Sequence, residues 1–402
     1  MKKELKLLVI LMSILILLTS TSVSYASSDD IITLEEAKEL TKNSRTLKQY
    51  ELDLEKAKYE YYQAKDEYDD AKTPSYYNLL PYYFYLTERE AQGEDVTEQL
   101  KMVESQISAA KEKLDSEIEK AASLKDKVQD SENRYEDSKK ELEKYKQELD
   151  YLVEQLYITI LKQEDRLKSL QEEYDLKLNL LNVERKKLEL GRSTQEEVNK
   201  LAVEGSNLNK TIVETNNSIK NLKGKLNDMM GRDYNCTLVL EHFDVPEVTA
   251  VPAFTTLLSQ VTQEYIILNQ IERDIEKKKD DLDDDNVEDV EYQADLINIE
   301  IKEKELQLED EKYKLNETIN NLITDLKIKQ KNYQLAKIDL TNAQKRYEWD
   351  QKRFEIGRIS KLDLHKSELN YINTKNEAIS AGYDFYLAQH KLELAEKGVL
   401  VN

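Results

Sequence analysis

The residue types that most often carry chemistry are sparse in this chain. Three histidines, His242, His365 and His390, stand far apart, and the one cysteine, Cys236, has no partner for an internal disulfide. None has Cys, His or carboxylate neighbours at metal-ligand spacing, so neither a metal centre nor a cofactor is expected. The 8 glycines form no phosphate-cradling loop, and no serine, cysteine or carboxylate constellation marks a nucleophile. An enzyme is therefore the poorest of the available classes. Three features remain. Two glycine-centred segments, Gly191-Arg192-Ser193-Thr194 and Gly357-Arg358-Ile359-Ser360, join a residue that tolerates left-handed backbone to a hydroxyl able to cap a following helix. Beyond the second, Asp363 and Lys366 have the spacing of an ordinary ion pair on a helix face. Finally, Tyr76, Tyr77, Tyr82, Tyr83, Phe84 and Tyr85 crowd one short stretch around Pro81.

The elements that must position these residues are long helices. With 8 Gly, 4 Pro and 35% charged residues in 402, the composition suits coiled coil and not a compact α/β or all-β domain. From Leu100 the positions Ile107, Leu114, Ala121, Val128, Tyr135, Leu142, Leu149 and Leu156 form an unbroken seven-residue series. The phase then slips by four to Ile160, Leu167, Tyr174, Leu181 and Leu188, a stutter that relaxes the supercoil. A second seam runs through Ile301, Leu308, Leu315 and Leu322, then Ile319, Leu326, Tyr333, Leu340, Tyr347 and Phe354. Both stop at a glycine, and the stops repeat: Leu188-Glu189-Leu190-Gly191-Arg192 recurs as Phe354-Glu355-Ile356-Gly357-Arg358. Upstream, Leu54-Glu55-Lys56 aligns with Ile275-Glu276-Lys277. Duplication of a helical hairpin follows.

The resulting expectation is an all-α chain of long antiparallel coiled-coil hairpins in two tandem repeats, with little or no β. Repeat one covers 27–232 and repeat two 253–402, separated by a linker at 233–252 with room for one short strand. Helices are expected at 33–72, 97–190 and 194–230, then at 255–282, 290–356 and 360–397. In each repeat two half-length helices can stack end to end beside one long helix, of roughly 140 Å and 100 Å in the two copies at 1.5 Å per residue. The aromatic stretch falls in an interruption at 73–97, at the far end of the longer hairpin. Its counterpart in repeat two is only an acidic turn at 283–289. Hairpins of this kind bury a narrow stripe and need partners.

The first 26 residues read as a secretory signal, with Lys2, Lys3 and Lys6 before an apolar run from Leu7 to Leu18 and Ser24-Tyr25-Ala26 as a cleavage site. The protein is expected to be exported to the cell envelope. The chain carries a net charge of −22, and losing that signal makes the remainder more acidic still, which excludes nucleic acid as a partner.

With a signal, two repeats and the opening Ile32-Thr33-Leu34-Glu35-Glu36-Ala37, the chain resembles the TolC family of outer membrane efflux and secretion channels over its whole mature length. The segment from Phe354 to Leu364 fits the family's turn closely, and Gly191 to Val198 fits it loosely. The resemblance implies a homotrimeric α-barrel acting as a passive duct. Its turns, here Gly191, Arg192 and Thr194 with Gly357, Arg358 and Ser360, would dock an adaptor protein, and an inner-membrane pump or ABC exporter with that adaptor would drive substrate through the duct. It also implies an aperture ring at Asp363, nearly neutralised in this chain because Lys366 takes the next family position. The family inserts two strands per repeat, and repeat two has no room for them. The aromatic stretch could instead seat the far end in a membrane interface, or simply cap the hairpin. The rival expectation is an exported structural or adaptor coiled coil without channel activity, at the surface or wall of a cell lacking an outer membrane. A coiled-coil regulator of wall hydrolases is a third class.

Overall fold

The computed structural model describes residues 31–69, 79–245, 250–282 and 292–401. The expected signal segment, Tyr76, Tyr77 and the acidic turn at 283–289 lie outside the described residues. In chain order the elements are β1 (Ile31–Ile32), α1 (Leu34–Thr41), α2 (Arg45–Asp69), α3 (Leu80–Ala91), α4 (Thr97–Glu189), α5 (Gln195–Met229), β2 (Val239–Leu240), α6 (Phe254–Glu264), α7 (Ile266–Leu282), α8 (Gln293–Glu355) and α9 (Lys361–Glu396). The described residues are all-α apart from two strands of two residues. None of the described helices is long and apolar enough to cross a membrane.

Half-length helices stack end to end along the long ones, because each carries a single apolar stripe that only a facing stripe can bury. Along α4, the antiparallel α2 stacks Tyr50 on Tyr145 and Tyr61 on Tyr135, with ring centroids 4.4 and 6.1 Å apart. Further along, α5 takes over, held by Lys177 to Glu204 at 2.7 Å and Lys223 to Glu164 at 2.5 Å. Helix α8 is flanked in the same way. There α7 pairs through Lys278 to Glu300 at 2.8 Å and Lys304 to Asp274 at 2.7 Å. The other half is covered by α9, through the stacked pairs Tyr333–Phe385 and Tyr347–Tyr371. The two arrays join across α4, where α9 gives Asp384 to Lys162 at 2.7 Å and α7 gives Arg273 to Asp137 at 2.6 Å.

Two helices expected to be continuous are broken. The one expected at 33–72 stops at Thr41, whose hydroxyl donates to the Lys38 carbonyl at 2.7 Å, and restarts where the Ser44 hydroxyl accepts the Leu47 N–H at 3.2 Å. The one expected at 255–282 breaks at Tyr265, which is extended (ψ 107), while the Asn269 amide donates to the Gln263 carbonyl at 3.2 Å. Each break precedes a buried leucine, Leu47 or Leu268, and the sequence repeat aligns these two residues. A third difference lies in the aromatic interruption, where residues 80–91 form a helix with Pro81 in its first turn, a position that needs no N–H.

The half-length helices meet around the main core. Here Ile31 pairs in parallel with Val239 and Ile32 with Leu240. The Tyr157 hydroxyl lies 2.8 Å from the Ile32 and Glu241 carbonyls and accepts the Glu241 N–H at 2.9 Å. Burial pushes this phenol far above its ordinary pKa, so it stays a donor. Val153, Ile158, Ile160, Leu161, Leu226 and Tyr383 close around it.

Candidate functional site

Both glycine turns adopt one local structure, dictated by their residue types. Gly191 and Gly357 have φ of +66 and +69, where a side chain would be strained, and a Cβ added at either would meet nothing within 4 Å. The chain reverses through paired hydrogen bonds to the last helical carbonyls. Gly191 N–H donates to Leu188 at 2.9 Å and Arg192 N–H to Lys187 at 2.7 Å. The second turn repeats this with Gly357 to Phe354 and Arg358 to Arg353, both at 2.8 Å. The next helix then starts on a hydroxyl. Thr194 accepts the Glu197 N–H at 3.2 Å, and Ser360 accepts the Asp363 N–H at 3.1 Å.

The structure brings the two turns to the same end of the molecule. Helix α9 runs antiparallel to α4 from its first turns, where His365 approaches Glu172, through Asn376, which donates to Ser169 at 2.8 Å. Lys186, Lys187, Lys352 and Arg353 occupy the last turns of α4 and α8, complementing the negative ends of their dipoles. Arg192, Thr194, Arg358 and Ser360 are exposed. Beside each glycine an aliphatic side chain is bared to solvent, Leu190 at 69% and Ile356 at 65%.

Asp363 is engaged locally. Its carboxylate accepts the Ser360 hydroxyl at 2.7 Å and the Ser360 N–H at 3.4 Å, completing a capping box. These bonds hold its carboxyl below the usual range, with Lys366 and Arg353 adding their charge. Lys366 itself is exposed one turn on.

The aromatic candidates lie at the opposite end of α4. Helix α3 folds back on the first turns of α4, packing Leu86 and Tyr83 against Val96, Leu100 and Val103. Tyr82, Phe84 and Tyr85 remain exposed.

One polar cluster was not anticipated from the sequence. Glu154 is fully buried in the main core, ion-paired to Lys38 and His390, and it accepts the Tyr386 hydroxyl at 3.0 Å. Burial pushes its carboxyl up, but the His390 and Lys38 contacts outweigh burial and hold it below its ordinary value. Asp150, one turn before it, is raised by burial. The available signal was the breadth of the apolar face: Leu149, Tyr151, Val153, Tyr157, Ile158, Ile160 and Leu161 surround the helix, so a Glu among them cannot reach water. His242 is likewise structural, its Nδ1 3.0 Å from the Tyr383 hydroxyl, a phenol that burial pushes up to about 12. Among the described residues no group of His, Cys, Asp and Glu is placed to hold a metal ion.

No family model matches the sequence, and no curated protein matches it. Solved structures do match by shape. A membrane protein from Pseudomonas aeruginosa superposes with a TM-score of 0.56 at 10% identity, over 90% of this chain and 92% of that one. CusC, whose structures concern folding and transmembrane channel formation, gives 0.52 at 12% over 92% and 96%. The CmeC outer membrane channel of Campylobacter jejuni gives 0.50 at 12% over 69% and 68%. At this identity the likeness is one of fold, and it is the fold that the resemblance to the TolC family implies.

Proposed function

We propose that the chain is the duct subunit of a multipartite efflux or type I secretion system in the cell envelope. Three copies would close into an α-barrel, and an adaptor would dock on the turns at Gly191-Arg192-Thr194 and Gly357-Arg358-Ser360. An inner-membrane pump or ABC exporter would supply the energy. The observation that carries this reading is the pair of like turns, each with a bared aliphatic residue, at one end of two hairpin arrays that share their architecture with channel proteins. Self-association has separate support from α8. Beside its buried seam, α8 exposes a second apolar stripe, Ile299, Leu306 and Tyr313 at seven-residue steps, then Ile328, Leu335 and Trp349. A stripe of that length on a soluble helix is the mark of an unmet partner.

A second reading, an exported coiled coil without channel activity, is favoured by one observation. The described residues hold only two strands of two residues each, and these pair with each other and not into a barrel wall. Multi-angle light scattering of the mature protein tests the first reading. A trimer is expected, and a stable monomer or dimer would sink it. Discrete conductance steps in planar bilayers separate the two readings, because the second gives none.

A further inference from the structure

The end of the molecule opposite the turns has chemistry of its own. Tyr82, Phe84 and Tyr85 on α3 are 50%, 63% and 52% exposed, whereas Tyr83 and Leu86 of the same helix are packed against α4. The helix therefore splits into a seated apolar face and an exposed aromatic face, and the latter is confined to its first half. The second half is polar, with Glu88, Arg89 and Glu90, and Gly93 ends the segment in left-handed backbone (φ +88).

We propose that this aromatic face is an interfacial anchor, which rests the far end of the rod in the headgroup layer of a zwitterionic lipid membrane. Three features select that occupant. The first is composition: two tyrosines and a phenylalanine beside a polar half-helix suit the layer between water and hydrocarbon, where amphipathic rings keep one end dry and the other wet.

The second is charge. From Leu79 to Thr97 the only basic residue is Arg89, and it is ion-paired to Glu94, while Glu88, Glu90 and Asp95 are acidic. An anionic lipid surface or an acidic polymer would gain nothing from this face, so attachment rests on apolar burial and is insensitive to salt.

The third is the state of the rings. Tyr85 stacks with Tyr82 at a centroid distance of 6.4 Å and carries the Arg89 guanidinium 5.7 Å from its own centroid. Tyr85 is thus already engaged by a ring and a guanidinium of its own helix, which disfavours stacking on a sugar. Size also counts against a protein partner on this face alone. Three half-exposed aromatic side chains offer roughly 300 Å², well short of the roughly 800 Å² per partner of a stable protein interface. The anchor does not depend on the duct reading, although three copies would multiply its strength through effective concentration.

The test moves the reporter to the site. In the mature chain the single tryptophan is replaced (Trp349→Phe) and Phe84→Trp is introduced. Mixing with phosphatidylcholine vesicles is expected to shift the emission to the blue, acyl-brominated lipid is expected to quench it, and both effects are expected to persist in high salt. The triple variant Tyr82→Ser/Phe84→Ser/Tyr85→Ser, with an unchanged helical circular dichroism spectrum, should lose at least tenfold in co-flotation with the vesicles. Emission that ignores vesicles, a triple variant that floats like the parent, or retention by purified wall sacculi in place of vesicles each overturns the proposal. Light scattering on the parent and on the triple variant, both of which keep Trp349, reads the assembly separately, so failure of the anchor and failure of the duct are distinguishable.

Discussion

Replacing Glu154 by glutamine removes one charge from the most crowded polar position in the core while keeping its volume. The wild-type carboxylate is 0% exposed and is held by Lys38, His390 and the Tyr386 hydroxyl. Removing a partner from a buried ion pair costs about 3–5 kcal/mol when the surviving charge has no route to water. Here the survivors have one, because the side chains of Lys38 and His390 are 23% and 21% exposed. The expected loss for Glu154→Gln is accordingly smaller, about 1–3 kcal/mol. Lys38→Met is the harsher change, since it leaves the carboxylate itself buried, and should cost more. The pH dependence has a definite sign. Because the folded-state pKa of Glu154 is depressed, its contribution is complete above the ordinary glutamate value of about 4.3 and drains away as pH falls below it. At 1.36 kcal/mol per unit, the gap between wild type and Glu154→Gln should narrow by up to about 1 kcal/mol between pH 4.3 and 3.5. Urea unfolding followed by circular dichroism at pH 7.5 and 3.5 measures both. A glutamine variant as stable as the parent at pH 7.5, or a gap that widens on acidification, would refute the reasoning.

Two further expectations concern the turns and the stripe. Gly357→Ala forces left-handed backbone on alanine at a cost of about 1–2 kcal/mol and meets no neighbour. Gly398→Ala adds to the same strain (φ +76) a Cβ only 2.5 Å from the Glu264 carbonyl oxygen, so its melting temperature should fall further than that of Gly357→Ala. Leu335→Glu on the exposed stripe of α8, with Ile338→Glu at the exposed position one turn on, places two charges on that face. Light scattering should then show monomer with an unchanged helical spectrum, and a persisting trimer would remove the stripe from the interface.

Much of this architecture was legible because periodic patterns and caps are local. The unbroken heptads from Leu100 to Leu156, the stutter and the glycine stop predict a helix at 97–190, and α4 spans Thr97–Glu189. Thr194 and Ser360 cap helices as their hydroxyls and neighbouring carboxylates imply. The breaks at Lys42 and Tyr265 were not legible, because no proline or glycine marks them. They depend on side-chain hydrogen bonds from Thr41 and Asn269 that compete with the backbone ladder only once the leucine after each break has found its core. Helix α3 was obscured by its aromatics, which favour strands by propensity and here pack as a helix because Leu86 and Tyr83 find Val96 and Leu100.

A heptad pattern specifies a face but not what covers it, and the same limit applies to the glycines. Gly398 is required by its neighbour, since the Glu264 backbone fills the space where a side chain would go, and Gly224 likewise sits under the Tyr234 ring. No described residue occupies that space at Gly191 or Gly357, where the requirement is left-handed backbone alone. The two tip turns are therefore sharp, open and flanked by Leu190 and Ile356, which the chain leaves uncovered. A turn that only had to reverse the chain would not need an aliphatic side chain bared beside it, and both copies of the repeat keep one. That recurrence is the strongest intrachain reason to look for a docking partner at this end.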